Sequence, residues 1–298
     1  MRARQKKRQQ TRRLTIIITV VIIAISIAVG VYFVSTANQG TALDKSDGVL
    51  VSAQDFTSLQ KASDQPYGPA ATSAMQSEVV NYGGAQFVSN GKPVVVYVGA
   101  EFCPYCAVER WALIMALERF GNFTNLHYTT SANDEGDYAT FTFVGSSYAS
   151  NYIAFRGYEE EDRSQNPLQT VPGNYSAVWS TSGNGFPFLD FGNTYLIKAS
   201  VLPFPDIIGG KNWTAILNDI STSDSVGLQI REGANLITGV ICKITQGAPA
   251  AVCSASPITT STSSIAGPTI ASLTAGPTPS SPYVVSATTS PPSSKRSG

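Results

Sequence analysis

The hydrophobic pattern divides the chain into an apolar N-terminal run, a structured middle and a polar C-terminal end. Residues 14–34 have the sequence LTIIITVVIIAISIAVGVYFV, without charge or proline. At about 1.5 Å per residue, a helix of this length spans roughly 30 Å, the thickness of a bilayer's hydrocarbon core. The run therefore predicts a transmembrane helix. The alternative is a cleaved secretory signal with Ser35-Thr36-Ala37 as its cleavage site, but such signals usually have apolar cores of only about 7–15 residues.

The strongest pattern in the middle is a buried strand followed by a helix. Residues 93–99, PVVVYVG, form a continuous apolar run that predicts a strand covered on both faces. Residues 104–120 repeat apolar positions at helical spacing, and Gly121 ends this helix. Residues 126–130 predict the next strand. A strand, a helix and a strand in such close succession indicate a βαβ unit, so we expect an α/β fold with a parallel sheet.

The remaining elements are predicted less sharply. Helices are expected at 52–62, 70–82, 211–220 and 235–244, and strands or short helices at 138–144 and 152–158. Residues 186–191 and 195–199 flank Gly192-Asn193-Thr194, which is the pattern of a β-hairpin with a tight turn. Residues 174–185 are rich in turn-forming residues, so turns are expected there.

The last 45 residues, 254–298, contain 13 Ser, 8 Thr and 7 Pro. Such a segment has too little apolar surface to offset the entropy lost on ordering it. We therefore predict a disordered tail that follows a domain at 49–253. Two roles stay open for it: an O-glycosylated stalk that contacts a cell-surface layer, or a spacer without a partner.

The chain has a formal net charge of zero, but its charges are unevenly distributed. Residues 1–13 carry seven basic side chains and no acidic one, which leaves 13 basic against 20 acidic residues in the rest. Because basic flanks stay in the cytoplasm, we predict a cytoplasmic arm at 1–13, a membrane helix at 14–34, a linker at 35–48 and an extracytoplasmic remainder. Nucleic acid is not expected as a partner, since the basic residues lie in a short arm.

Cys103 and Cys106 form a C-x-x-C motif where the predicted strand gives way to the predicted helix. The free N–H groups and the dipole at a helix N-terminus stabilise a thiolate, so Cys103 is the expected nucleophile. Cys106, one turn later, can resolve a mixed disulfide. A structural disulfide would gain little from so short a loop. Zinc would need a more closely spaced second pair than Cys242 and Cys253, which have ten residues between them.

Cys242 and Cys253 are expected to form a structural disulfide that ties the last predicted helix to the segment after it. The alternative is a second redox pair that exchanges electrons with the first. No metal site is expected. No bound cofactor is expected either, because a cysteine pair itself carries the two electrons.

Other candidate residues are weaker. His127 is the only histidine and lies in a predicted strand, so a packed core residue is preferred to a catalytic one. Trp111 lies at helical spacing and is expected in the core. Glu101, two residues before Cys103, either modulates the thiolate or is a solvated rim residue, and both interpretations stay open. The acidic run at 159–162 is expected on the surface.

Residues 95–106, VVYVGAEFCPYC, followed by Trp111, resemble the active-site stretch of the thioredoxin superfamily. The dipeptide Phe186-Pro187 resembles the cis-proline that opens a strand in that family. The resemblance implies that Pro187 lies beside the C-x-x-C motif and that the backbone of Phe186 receives the substrate peptide. The whole chain also resembles a membrane-anchored archaeal family of unknown function, which adds topology but no activity.

The chain departs from the thioredoxin pattern in three respects. Thioredoxins have a buried Asp that serves proton transfer six residues before the first cysteine, and Tyr97 occupies that position here. Residues 132–185 exceed the family's usual spacing, which predicts an insertion. The tetrapeptide Cys-Pro-Tyr-Cys is that of glutaredoxins, but no basic pocket for the carboxylates of glutathione is evident.

The predicted fold class is therefore α/β: a thioredoxin-like fold with an insertion, preceded by one N-terminal transmembrane helix. The predicted function is a membrane-anchored, extracytoplasmic thiol–disulfide oxidoreductase that acts on thiols and disulfides of exported proteins through an unidentified redox partner. The alternative is a non-enzymatic surface binding or scaffold protein whose cysteines are structural. The direction of electron flow stays open, because about 30 mV corresponds to only about 1.4 kcal/mol.

Overall fold

The computed structural model describes residues 45–267, together with Ser26 and Leu43. This part of the chain is a mixed α/β structure with one six-stranded sheet and two two-stranded sheets. The strands are β1 (Val79–Asn81), β2 (Val88–Ser89), β3 (Lys92–Gly99), β4 (Gly121–Thr124), β5 (His127–Thr130), β6 (Ala139–Thr142), β7 (Ser147–Ser150), β8 (Ala154–Glu159), β9 (Phe188–Phe191) and β10 (Tyr195–Ile197). From Ala53 onward the α-helices are α1 (Ala53–Ser63), α2 (Ser73–Ser77), α3 (Pro104–Glu118), α4 (Gly173–Thr181), α5 (Trp213–Thr222), α6 (Ser225–Ile244), α7 (Ala250–Cys253) and α8 (Ser256–Ser261).

The six-stranded sheet is organised around β3. Strand β8 lies parallel to β3, strand β9 lies antiparallel to it, and β10 and β1 continue the sheet beyond β9. Successive side chains of a strand point to opposite faces. Val95 and Tyr97 share a core with α3 and α6, whereas Val94, Val96 and Val98 share a core with α4. Helices therefore cover both faces, which confirms the doubly buried strand predicted from the apolar run.

Helix α3 is buried along most of its length. All side chains from 106 to 117 are buried, and the helix packs against α6. A helix without a polar face is typical of a protein core. The predicted helix at 104–120 is thus confirmed, and Trp111 lies in the core as expected, with its ring N–H donating to the Ala139 carbonyl at 2.9 Å.

The parallel neighbour of β3 is β8, and the prediction that residues 126–130 fill this position is wrong. Strand β5 does form there, but it pairs antiparallel with β6, while β4 pairs with β7. The apolar pattern of a segment predicts that it forms a strand, but not which other strand it pairs with. Strands β4 to β7 lie between α3 and β8, and the range predicted as an insertion, 132–185, contains β6, β7, β8 and helix α4.

The hairpin expected after residue 186 is confirmed by the antiparallel pairing of β9 with β10. Its turn residues Gly192 and Asn193 have positive φ angles of 63° and 59°. Glycine and asparagine tolerate this conformation better than other residues do, so the turn follows from the sequence.

Three other segments differ from the sequence prediction. Residues 70–82 form only the short α2, followed by β1. Residues 174–185 belong largely to α4, because Val178 and Trp179 pack against the sheet and outweigh the turn-rich composition. Helix α6 begins well before the predicted residue 235, and the Asp224 side chain caps it by accepting from the N–H of Val226.

Residues 254–267 are folded, so the disordered tail does not begin at 254 as predicted. Helix α8 packs on α6, and Ile258 and Ile265 are buried. The Ser261 hydroxyl accepts a hydrogen bond of 2.8 Å from the N–H of Ala71. A few apolar residues at the right positions thus anchor a segment that is otherwise rich in Ser and Thr.

Several predictions fall on residues that the structure does not describe. They concern the arm at 1–13, the membrane helix at 14–34 apart from Ser26, most of the linker at 35–48, and the tail from 268 onward. None of the helices in the described part combines the length and apolar character needed to cross a membrane.

Candidate active site

Cys103 and Cys106 lie at the junction of β3 and α3. Cys103 is the N-cap residue of α3, and the backbone N–H of Cys106 donates to its Sγ at 3.2 Å. Pro104 occupies the first turn, where its missing N–H costs no helical hydrogen bond. Both thiols are free and buried, whereas Tyr105 between them is exposed. The dithiol thus sits just beneath the surface, at the helix end that favours negative charge.

The two thiols are chemically unequal. A side-chain hydrogen bond from Cys106 lowers the pKa of Cys103, and the N–H groups of Cys106 and Tyr105 and the charge of Arg110 act in the same direction, against burial. Burial raises the pKa of Cys106 well above its ordinary value, and its hydrogen bond to Cys103 adds to this effect. Cys103 therefore ionises first, and Cys106 keeps its proton.

The second wall of the site comes from the segment before β9. The peptide bond between Phe186 and Pro187 is cis, as the sequence resemblance implies. The Phe186 side chain packs against the small buried cluster that contains Cys103 and Cys106. Its ring also stacks on Trp179 at a centroid distance of 5.6 Å. The two cysteines and Phe186, which precedes Pro187, are therefore brought together, although Phe186 follows Cys103 by 83 positions and Cys106 by 80.

A fully buried ion pair lies beside the dithiol. Arg110 donates to both carboxylate oxygens of Glu159, from Nε to Oε1 at 3.0 Å and from Nη2 to Oε2 at 2.6 Å. The same Nη2 donates to the Ala100 carbonyl at 2.8 Å. Arg110 follows Cys106 by four residues, so both side chains lie on one face of α3. The helix thus carries a positive charge close to the thiols.

Tyr97 is fully buried next to this ion pair. The guanidinium carbon of Arg110 lies 5.8 Å from the centroid of the Tyr97 ring. The phenol lies so close to Gly99 that a Cβ at that position would fall 2.0 Å from the Tyr97 hydroxyl. Burial raises the pKa of Tyr97 well above its ordinary value. The position expected for an acidic residue therefore holds a neutral phenol.

Sequence reasoning missed these buried charges. The acidic run at 159–162 was expected on the surface, and this is wrong for Glu159, which ends β8 and is fully buried. Glu109 is also fully buried. A signal was available in α3, because Glu109 and Arg110 stand between apolar residues on every side of the helix.

Two other candidate residues have structural contacts. Glu101 is partly buried, and its Oε1 accepts from the Thr142 hydroxyl at 2.6 Å, which joins the residue to β6. Burial raises the pKa of Glu101. His127 lies in β5 and is half-buried, less completely packed than expected. In the described part of the chain, no group of three or more His, Cys, Asp or Glu is placed to hold a metal ion.

The expected disulfide between Cys242 and Cys253 is present. Cys242 lies in the last turn of α6, and Cys253 ends α7. The bond therefore ties the long helix α6 to the short helices that follow it.

Fold and site together define a mixed α/β protein with a free C-x-x-C pair at a helix N-terminus, packed against a cis-proline segment. Residues 78–178 match the family model of a domain of unknown function, DUF929. The match includes the dithiol and the pair of Arg110 with Glu159, whereas Pro187 and the second cysteine pair lie beyond it. No curated protein and no solved structure shows a significant match to the chain.

Proposed function

We propose that the chain has a thioredoxin-like fold and acts as a thiol–disulfide oxidoreductase. The parallel pair β3 and β8, joined through α3, and the hairpin β9–β10 are consistent with that fold. The cis peptide bond before Pro187 and the packing of Phe186 on the cysteine cluster also support it. The observation that carries the proposal is the inequality of the two thiols, with Cys103 capping α3 and Cys106 buried one turn later.

In the reducing direction, the Cys103 thiolate attacks one sulfur of a client disulfide. The client S–S bond breaks, a Cys103–client disulfide forms, and the second client sulfur leaves as a thiolate. Cys106 then attacks Cys103 Sγ, the Cys103–Cys106 disulfide forms, and the first client sulfur leaves. Two electrons have passed from the dithiol to the client, and the reverse sequence oxidises a client. Phe186 and Pro187 would hold the client chain.

We further propose that the domain works outside the cytoplasm on exported proteins, anchored by residues 14–34. The disulfide between Cys242 and Cys253 supports this location, because the cytosol keeps such thiols reduced. The dithiol itself carries the electrons, so the proposed reaction needs no bound cofactor.

The test replaces the resolving thiol with Cys106→Ser and searches for clients held on Cys103 by a mixed disulfide. We expect covalent adducts that dissolve on reduction, and none with the matched variant Cys103→Ser. If Cys106→Ser captures no client and dithiol reagents cannot cycle the wild-type pair, the enzyme proposal fails and the binding or scaffold alternative replaces it.

The direction of electron flow needs a separate measurement, the equilibrium potential of the dithiol against glutathione. A strongly oxidising potential would indicate disulfide formation in clients, and a low one would indicate their reduction.

A further inference from the structure

The resolving step requires the less ionisable thiol of the site to act as a nucleophile. The Cys106 side chain has no exposed surface, and burial disfavours its thiolate. The thiolate is nevertheless the attacking species in disulfide exchange. A carboxylate at position 97 would have served proton transfer, but this chain has a phenol there. The structure must favour the Cys106 thiolate in another way.

Two buried hydrogen-bond donors next to the dithiol have no partner in the described part of the chain: Nη1 of Arg110 and the hydroxyl of Tyr97. Glu159 and Ala100 hold the other end of the Arg110 guanidinium and leave Nη1 free. Ala100 also connects this group to the thiols, since it belongs to their cluster and a backbone hydrogen bond from it favours the Cys106 thiolate.

The positive charge of Arg110 favours the Cys106 thiolate, as the backbone hydrogen bond does. The Cys106 thiolate in turn disfavours ionisation of the Tyr97 phenol. Arg110 and Cys106 lie on α3, and Cys103 caps the same helix. Tyr97 belongs to β3, and Glu159, at the end of β8, is paired with Arg110. The segment before β9 contributes Phe186, which carries no charge.

We propose that Arg110 and Tyr97 are positioning residues that stabilise the Cys106 thiolate during the resolving step. This inference rests on the proposed oxidoreductase function. In the resting dithiol neither donor has a hydrogen bond to the Cys106 sulfur, so each remains an unpaired buried donor. The Arg110 charge, one helical turn from Cys106, favours negative charge on that sulfur. Glu159 orients Arg110 and balances its charge in the resting protein.

Neither Arg110 nor a neutral phenol accepts a proton, so the Cys106 proton passes to the departing client thiolate or to water. The Cys106 thiolate attacks Cys103 Sγ, the bond from Cys103 to the client breaks, and its electron pair leaves on the client sulfur. The rate of this step should therefore follow the ionisation of Cys106 itself.

The experiment measures the Cys106 pKa from thiolate absorbance in full-length protein carrying Cys103→Ser, where Cys106 is the single free cysteine. The double change Arg110→Met with Glu159→Met removes the ion pair without leaving a buried charge. We expect it to raise the Cys106 pKa by about one unit or more. Tyr97→Phe, which removes only a hydroxyl, should raise the Cys106 pKa by less. Arg110→Lys, which keeps the positive charge, should leave the Cys106 pKa close to its wild-type value.

Two matched controls separate this role from general damage to the core. Arg119→Met changes a second arginine of the same helical segment, whose Nη1 donates to Asn235 and Thr238. Tyr195→Phe removes a hydroxyl two strands away that donates to Ala266. Neither control should move the Cys106 pKa.

An unchanged Cys106 pKa in Tyr97→Phe and in the double variant would overturn the inference. Should the double variant not fold, Tyr97→Phe decides, because it keeps the aromatic ring. The readout needs no client, so it is independent of the trapping experiment. Trapping with no pKa shift refutes only this inference. A pKa shift in a protein that neither traps a client nor cycles with dithiol reagents refutes only the oxidoreductase function.

Discussion

The two cysteine pairs have opposite surroundings. Cys103 and Cys106 are free and lie at the N-terminus of α3, whereas Cys242 and Cys253 are bonded and lie at the C-terminal ends of α6 and α7. A helix N-terminus stabilises a thiolate, and a C-terminus carries the opposite partial charge. A pair at a helix N-terminus is therefore suited to thiol–disulfide exchange, and a pair at helix C-termini is suited to staying bonded.

The two cysteine pairs also differ in the residues that surround them. Arg110 and Glu159 place a buried pair of opposite charges beside the dithiol, which is costly unless each charge is held by a partner. At the other pair, the covalent bond itself joins the helices. The dithiol region should therefore be sensitive to the loss of single charges, and the disulfide region to the loss of the bond.

The largest effect is expected from breaking the buried ion pair on one side only. Arg110→Met leaves Glu159 buried without its partner, so the free energy of unfolding should fall by about 3–5 kcal/mol. Replacing both residues with Met should recover most of that loss. Urea denaturation measures both variants.

The less buried pair of Lys211 and Asp219, 2.8 Å apart, is the control. Lys211→Met should cost less than Arg110→Met, because the Lys211 side chain is 33% exposed and solvent partly screens this pair. If Arg110→Met is as stable as Lys211→Met, the buried charges do not make the dithiol region more sensitive than the rest of the protein.

The next effect comes from opening the second pair. Replacing Cys242 and Cys253 with Ala should lower the free energy of unfolding by about 3 kcal/mol, the entropic estimate for so short a loop. The reactivity of Cys103 should not change. Mass mapping after partial reduction supplies the converse test: if this pair opens while the protein remains folded, it is a relay and not a structural bond.

The local elements of this protein could largely be predicted from its sequence. Residues 93–99 and α3 follow from their apolar periodicity, and the β9–β10 turn follows from Gly192 and Asn193. Pairing could not be predicted, because the patterns of β5 and β8 are equally compatible with a neighbour of β3. Only the packing of the whole sheet selects β8.

The chemistry of the site could be predicted only in part. Cys103 and Cys106 are recognisable because their motif joins a strand to a helix, and Pro187 because of the family resemblance. Glu159 could not be recognised, since it stands at the start of an acidic run and only the strand end buries it. Its partner Arg110 lies 49 residues away, a separation that no local pattern spans.

A smaller effect, dependent on pH, is expected at Glu109, which accepts from the Ser200 hydroxyl and the N–H of Val201 at 2.9 Å each. Burial raises the pKa of Glu109 from 4.5 to about 7. The folded state therefore holds this proton more tightly than the unfolded state, and stability present below pH 4.5 is lost as the pH rises through about 7.

Glu109→Gln mimics the protonated side chain and should remove this dependence. Between pH 5 and pH 8 the wild-type protein should lose about 2–3 kcal/mol more stability than the variant, as measured by urea denaturation at each pH. Glu232→Gln, on the less buried face of α6, is the control. Parallel pH profiles for the wild type and Glu109→Gln would mean that the carboxyl is ionised in the folded protein.

The smallest effect is expected at Tyr105, which lies between the two cysteines and is 46% exposed. Tyr105→Ala should change the free energy of unfolding by less than about 0.5 kcal/mol, because few buried contacts are lost. The Cys103 pKa should also stay as it is, since the group that acts on Cys103 is the backbone N–H of residue 105, which alanine retains. Thiolate absorbance in Cys106→Ser protein, with and without Tyr105→Ala, measures this. A raised Cys103 pKa would show that the Tyr105 ring stabilises the thiolate, so that the helix N-terminus alone does not distinguish this pair from the bonded one.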